Sequence, residues 1–385
     1  MLDLLLRGGM VIDGSGNPGY RASVGVEDGK ILLLRTEAAS AKRVIDADGL
    51  MVVPGFIDAH SHSDFVFFRE PRPDMKLRQG VTTEIVGNCG SSSAPLLERS
   101  LPYLDEHTPE AVTTLGKYAR FGEYLERIQE QGLINNQAIL VGHKLIRTAV
   151  LGMEARVASP QELEQMKEIL AAALDEGAIG LSSGLLYPPM CFAAPDELVE
   201  LCRVVAEKGK IFTCHMRNYS SEMVQSLGEM IGLAKRSGAA VHISHFMLAG
   251  KGNWGKTAEV LSKIDEARAG GGDITFDQYP YTAANPYLRS MLPPWMHEGG
   301  LQATLDRLGD AALRERAAKE MEEGLPRWES IAKDAGWENL VVLSQVLLEI
   351  SGQSLREIAA NQGKEATETV FDLLLQDPGA NLIAH

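Results

Sequence analysis

The chain is 385 residues long, 45% hydrophobic and 23% charged, which is ordinary globular material with enough apolar content for a sizeable core. Its 37 Lys and Arg against 52 Asp and Glu leave a net charge of −15, a balance that repels phosphate backbones and anionic membranes and argues against nucleic-acid or membrane partners. No stretch approaches the ~20 apolar residues of a membrane span. The start, MLDLLLRGGMVIDG, lacks the basic leader and long apolar region of a secretory signal, and Cys89, Cys191, Cys202 and Cys214 are too scattered for a disulfide framework, so a cytoplasmic setting is expected.

Residues 1–50 read as short strands joined by turns. Asp28-Gly29 between two apolar runs predicts a hairpin, because a type I′ turn needs positive φ at both central positions. This part is expected to be a piece of a small β-domain packed beside the main body. From residue 51 the rhythm becomes strand, loop, helix. The strand candidates are MVVPGFIDAH, VTTEIVGNC, QAILVGH, AIGLSSGLLY, KIFTCHMR, AVHISHF and GDITFDQYP. Between most of them lies an amphipathic helix ending in glycine, such as PQELEQMKEILAAALDEG and PDELVELCRVVAEKG. Near-continuous apolar strands alternating with helices predict an α/β fold with a parallel sheet, and seven in order point to a (β/α)8, TIM-like barrel over residues 51–385.

Residues 281–353 break the rhythm with LPPWMHEGG, a charged helix and the apolar run VVLSQVLLEI, and are expected to be an insertion after strand seven. A helix, KEATETVFDLLLQD, follows, and NLIAH begins another strand-like run. These runs predict a barrel that ends before its eighth strand.

Side chains able to bind a metal gather where the strands end, the face on which such barrels carry their sites. His60 and His62 stand two apart, so period-two geometry lets both imidazoles reach one ion. Cys89 sits in Gly87-Asn88-Cys89-Gly90, where the glycines allow close backbone approach. Alone it would be read as an ordinary buried thiol, but beside the paired histidines it reads as a ligand. His215 and His245 close strands five and six, completing a set of four histidines and one cysteine that suits zinc. Alternation assigns Cys214 to packing and points His242 outward. His143 closes strand three and is read as lining or supporting the site. His107, His297 and His385, like Cys191 and Cys202, are given no role.

Taken together, GFIDAHSHSD, GVTTEIVGNCGSSSAP, GLLYPP, CHMRN, ISHF, GKGNWGK and FDQYPYTAAN, with the opening LLLRGGMVIDGSGNP, resemble the N-acyl-D-amino-acid deacylase (D-aminoacylase) family of the amidohydrolase superfamily along essentially the whole chain. The resemblance implies a metal-dependent hydrolase barrel that cleaves the acyl amide of N-acyl-D-amino acids. It implies a tighter zinc at His215, His245 and Cys89, and a weaker second position at His60, His62 and Cys89. Tyr187 and Tyr279 match substrate-contacting tyrosines. Many amidohydrolases carry a bridging lysine on strand four, but AIGLSSGLLY has none, which separates this chain from hydantoinase-like relatives. Met247 stands where the family has a lysine that helps bind substrate, leaving Lys251 or Lys256 to compensate. The family's general-base aspartate and carboxylate-binding arginine are expected beyond His385. A hydantoinase-like enzyme acting on a cyclic amide, and a non-catalytic zinc-binding barrel, are the competing readings.

Overall fold

The structure, a computed structural model, describes residues 1–34, 40–64, 74–104 and 118–385, so His107 lies outside the described residues. The chain divides into two compact units, one of residues 1–57 and 75–83 and the other of residues 58–74 and 84–385. Among the described residues no helix is long and apolar enough to cross a membrane.

The smaller unit is a sheet of β1 (Leu2–Val11), β2 (Tyr20–Glu27), β3 (Lys30–Leu34), β4 (Ala41–Asp46) and β5 (Met51–Val52). β1 pairs antiparallel with β2 and parallel with both β4 and β5. The β2–β3 hairpin pairs Glu27 with Lys30, and its turn residues Asp28 and Gly29 have φ of 50° and 72°. Positive φ at both positions is what the type I′ turn demands. Met51–Val52 belongs to this sheet, so MVVPGFIDAH is not the single strand that its apolar run suggested. Pro54 interrupts it, having no N–H to give a ladder, and a separate strand β6 (Phe56–Asp58) follows.

β7 (Val81–Val86) leads into the cysteine loop, and β8 (Asn136–Ile139) lies beside its end, with Leu140 N–H donating to the Val86 carbonyl at 2.9 Å. The main sheet is parallel, in the order β13 (Ile274–Phe276), β12 (Ala240–Ile243), β11 (Ile211–His215), β10 (Gly180–Gly184), β9 (Val141–Gly142). Its register aligns Ser182, Thr213, His242 and Thr275 in one row and sets Gly184 opposite His215. Helices cover this sheet. Pro160–Asp175 starts at a capping box, where Ser159 Oγ accepts the Glu162 N–H and Glu162 accepts the Ser159 N–H at 2.8 Å. Its Met166, Leu170, Ala173 and Leu174 are buried at helical spacing, so Leu170→Ala would cost about 2–5 kcal/mol. Helices Pro195–Glu207, Met223–Ser237 and Thr257–Ala269 repeat the pattern, and Gly238 ends Met223–Ser237 with φ 75°.

The segment after strand seven extends further than its sequence rhythm suggested. Helices Leu301–Leu308, Ala311–Glu323, Leu355–Gln362 and Ala366–Gln376 share a second hydrophobic core with β14 (Leu340–Leu343) and β15 (Asn381–Ala384). Leu355, Phe371, Leu374 and Leu382 face this core, so it does not stop at residue 353. NLIAH forms β15, which runs antiparallel to β14 with Leu340 opposite Ala384 and is not a strand of the parallel sheet.

Candidate metal centre

His60-Ser61-His62-Ser63 runs alongside the end of β7, with Ser61 N–H donating to the Ile85 carbonyl at 3.0 Å. Alternation splits its side chains. The hydroxyls of Ser61 and Ser63 donate to Glu84 Oε1 at 2.8 and 2.6 Å, and Asn135 donates to Oε2 at 2.6 Å. Both imidazoles turn instead to the Cys89 sulfur, His60 Nε2 approaching within 3.4 Å.

Cys89 reaches this point through a left-handed backbone, φ 53°, which costs an L-residue about 1–2 kcal/mol. The flanking glycines are sterically required. A Cβ at Gly87 would lie 2.2 Å from the Leu140 carbonyl oxygen, and one at Gly90 would lie 2.1 Å from Met190 Sδ. His215, the last residue of β11, is buried, and its ring centroid lies 4.5 Å from that of His245. His245 stands two residues past β12 with φ 35° and brings Nε2 to 3.5 Å from the Cys89 sulfur.

Asp277, just beyond β13, was given no role from sequence, yet it ties the histidines together. Its Oδ2 lies 3.1 Å from His60 Nδ1 and 2.9 Å from His242 Nε2, while Oδ1 accepts the His245 N–H. A carboxylate only accepts, so His60 Nδ1 is the donor and Nε2 is left for the sulfur. His242 corrects the outward assignment: it pairs with Thr213, two residues before His215, so it shares the inner face. Counting back from His245 misled because alternation ends at Ile243, before the turn that carries His245. Cys214 is fully buried in the core with Cys202. His143 lies outside the centre and supports β10, with Nδ1 3.0 Å from Ser183 Oγ and Nε2 3.1 Å from Glu197.

Burial alone would raise the Cys89 thiol pKa, but contacts with His215, His245, His60 and His62 bring it well below the usual thiol range. Burial works against a charged His60, yet Asp277 and Cys89 outweigh it and raise the ring to about 10. His215 goes the other way, down to about 4, because it is buried and faces His245, so it keeps a lone pair. Asp277 is held well below the usual carboxylate range: burial opposes this, and the His242 and His60 hydrogen bonds prevail.

This donor set fits a metal ion. Among the described residues, ligand atoms of His60, Cys89 and His245 lie within 4.8 Å of one another. Both ring nitrogens of His215 are buried without a hydrogen-bond partner, and an ion at the centre would relieve one of them. A thiolate among imidazoles is the nitrogen and sulfur set that zinc prefers.

All five candidate ligands line one cavity, with Tyr187 and Tyr279 on its wall. The Tyr187 ring lies 4.8 Å from His215, and Tyr279 lies 6.3 Å from His245 and donates its hydroxyl to Met247 Sδ at 3.1 Å. Lys251 also lines the cavity, whereas Lys256 is exposed and reaches Asn253 at 3.2 Å. His297 and His385, given no role from sequence, line it too. Tyr219, also missed, packs 5.2 Å from both His215 and His245 and is pinned by its hydroxyl to the Ser244 carbonyl at 2.8 Å.

Strand ends that deliver histidines and a thiol to one point define a metal-binding α/β class. The model of the amidohydrolase family matches residues 43–383. The chain is 39% identical over 291 residues to an N-acyl-D-glutamate deacylase of Alcaligenes xylosoxydans xylosoxydans, covering 74% of this chain and 58% of that protein. It is 37% identical over 289 residues to a D-aminoacylase of the same organism, covering 74% and 59%. The crystal structure of the Bordetella bronchiseptica N-acyl-D-glutamate deacylase, complexed with zinc and a phosphonate inhibitor, superposes with a TM-score of 0.79 at 31% identity, over 100% of this chain and 71% of that one. The chain therefore belongs to the amidohydrolase family, in its N-acyl-D-amino-acid deacylase branch. It spans 58% and 59% of the length of the two curated relatives.

Proposed function

We propose that this chain carries the metal centre of a zinc-dependent hydrolase that cleaves the acyl amide of N-acyl-D-amino acids into a carboxylate and a free D-amino acid. The observation that carries the reading is the convergence of His60 and His245 on the Cys89 sulfur, with His62 and His215 lining the same cavity and both buried His215 nitrogens left without partners. His215, His245 and Cys89 would hold the tighter ion, and His60, His62 and Cys89 a weaker second one. When bound, zinc supplies a Lewis acid for the acyl carbonyl and makes a water nucleophile available near neutral pH.

The chain's own residues bind and orient. Asp277 fixes the His60 ring, and Tyr187 and Tyr279 stand on the cavity wall where the substrate would lie. Met247 offers no cation to a substrate carboxylate, and Lys251, one of the lysines that line the cavity, would do so. All four cysteines are free, which supports a reducing, cytoplasmic setting.

The test is an assay of the zinc-loaded protein, expressed from its native gene, with N-acetyl-D-methionine, N-acetyl-D-glutamate, their L-enantiomers and a cyclic diamide. Hydrolysis of the D-substrates is expected. Turnover of the cyclic diamide or the L-enantiomers alone would overturn the reading. Cys89→Ala and His215→Ala should each abolish zinc binding.

A further inference from the structure

β10 contributes no ligand to the centre, yet the cysteine loop rests on it. Ser182 Oγ accepts the Gly90 N–H at 3.0 Å and donates its proton to the Gly87 carbonyl. One hydroxyl thus spans Asn88 and Cys89 from both sides. Ser182 is fully buried, and its register opposite Thr213 sets it on the face that carries His215. The loop and the strand touch closely here: a Cβ at Gly184 would lie 2.4 Å from the Cys89 carbonyl oxygen. Ser183, next along the strand and equally buried, bonds His143 instead.

We propose that Ser182 is a positioning residue for Cys89, holding the Gly87 carbonyl and the Gly90 amide so that the loop keeps its left-handed turn and the sulfur stays within reach of His60 and His245. The inference rests on the reading of Cys89 as a metal ligand. Neither an alanine nor a purely apolar side chain can replace the staple, because the loop needs a donor for one group and an acceptor for the other. Without it, two buried backbone groups lose their partner, and Cys89 gains a reason to relax toward the extended region. The sulfur would then leave the point on which the imidazoles converge.

Ser182→Ala tests this, with Ser183→Ala as the control that removes an equally buried hydroxyl from the same strand. Zinc affinity is read by competition with a chromophoric chelator. The cobalt-loaded protein is read for its thiolate-to-cobalt charge-transfer absorption, which reports the sulfur–metal bond and is insensitive to a mere loss of stability. Ser182→Ala should weaken zinc binding about 10–100-fold and diminish the charge-transfer band, as loss of a residue supporting a ligand does. Ser183→Ala should leave both unchanged, and Ser182→Thr, which keeps the hydroxyl, should restore most of the band. Undiminished affinity and a full band in Ser182→Ala would overturn the proposal.

If the alanine variant does not fold, amide exchange in the unsubstituted, metal-free chain decides. The Gly90 N–H should be protected, and exchange at the rate of an open amide would overturn the staple. Cys89→Ala, measured alongside, separates the two readings. Full zinc retention there removes the ligand assignment and this inference with it. Loss of zinc in Cys89→Ala but not in Ser182→Ala removes only the positioning role.

Discussion

Asp277 Oδ2 lies 3.1 Å from His60 Nδ1, and the opposite nitrogen of that ring lies 3.4 Å from the Cys89 sulfur. The carboxylate therefore holds Nδ1 as a donor and fixes the tilt of the imidazole. Asp277→Asn is a sharp perturbation because its oxygen can still accept the His245 N–H, while its amide presents a donor to the donating nitrogens of His60 and His242. We expect metal affinity at the His60–His62 position to fall about 10–100-fold. Metal content by mass spectrometry during stepwise chelation reads it, and an unchanged second metal would refute the orienting role.

Glu84 serves the same segment from behind. It gathers the hydroxyls of Ser61 and Ser63, the two residues that alternate with the histidines. Glu84→Ala takes away the carboxylate that these groups and Asn135 share, a cost of about 1–3 kcal/mol for a buried group. The expected outcome is a lower thermal midpoint with loss of the second metal before the first. Simultaneous loss of both would mean that Glu84 supports the whole centre and not this segment.

Removing the metal should expose a reactive thiol. Contacts with four imidazoles hold Cys89 well below the usual thiol range, whereas burial pushes Cys191 up to about 12 and raises Cys202 and Cys214 well above the usual range. The thiolate is the nucleophile, so iodoacetamide at about pH 6 should label Cys89 first in the chelated protein and spare it in the zinc form. Peptide mass spectrometry locates the label. Equal labelling with and without zinc would count against Cys89 as a ligand.

The five candidate ligands were legible because each is an unusual residue at the end of an apolar run, and strand ends share one face of the fold. Asp277 was not, since an acid in FDQYP becomes meaningful only when a chain segment 217 residues away brings His60 beside it. His242 was misjudged by counting alternation across a strand end into a turn with φ 35° at His245. The extent of the second core was hidden for a related reason. An amphipathic helix such as Ala366–Gln376 announces that it has a buried face, but not which of two cores that face meets.

Behind β10, Arg147 is fully buried against Glu197, with Nη1 2.6 and 2.5 Å from the two carboxylate oxygens, and His143 joins them. Glu197→Ala would strand a guanidinium in the core. Breaking one side of a buried pair typically costs about 3–5 kcal/mol. Chemical denaturation should show a loss of that size, and the double variant Glu197→Ala with Arg147→Met should recover part of it. A loss below about 1 kcal/mol, the range of exposed pairs, would show that water reaches this network.

Glu329 gives the fold a pH dependence of its own. It is buried on the cavity wall and accepts the Tyr219 N–H at 3.3 Å. Burial raises its carboxyl to about 7, against the smaller opposing effects of that N–H and the Ser220 hydroxyl, from an ordinary value of 4.5. Between these values the folded chain binds more protons than the unfolded one, so stability falls as pH rises. The contribution is complete below the unfolded value and lost as pH passes the folded one, at most about 3 kcal/mol. Glu329→Gln stays neutral throughout, so its unfolding free energy should be flatter between about pH 5 and 8, and it should exceed that of the unsubstituted chain at the upper end. Guanidinium titrations at both pH values read the difference. Parallel pH slopes in the two proteins would mean that the folded carboxyl ionises near its unfolded value, with water reaching it through the cavity.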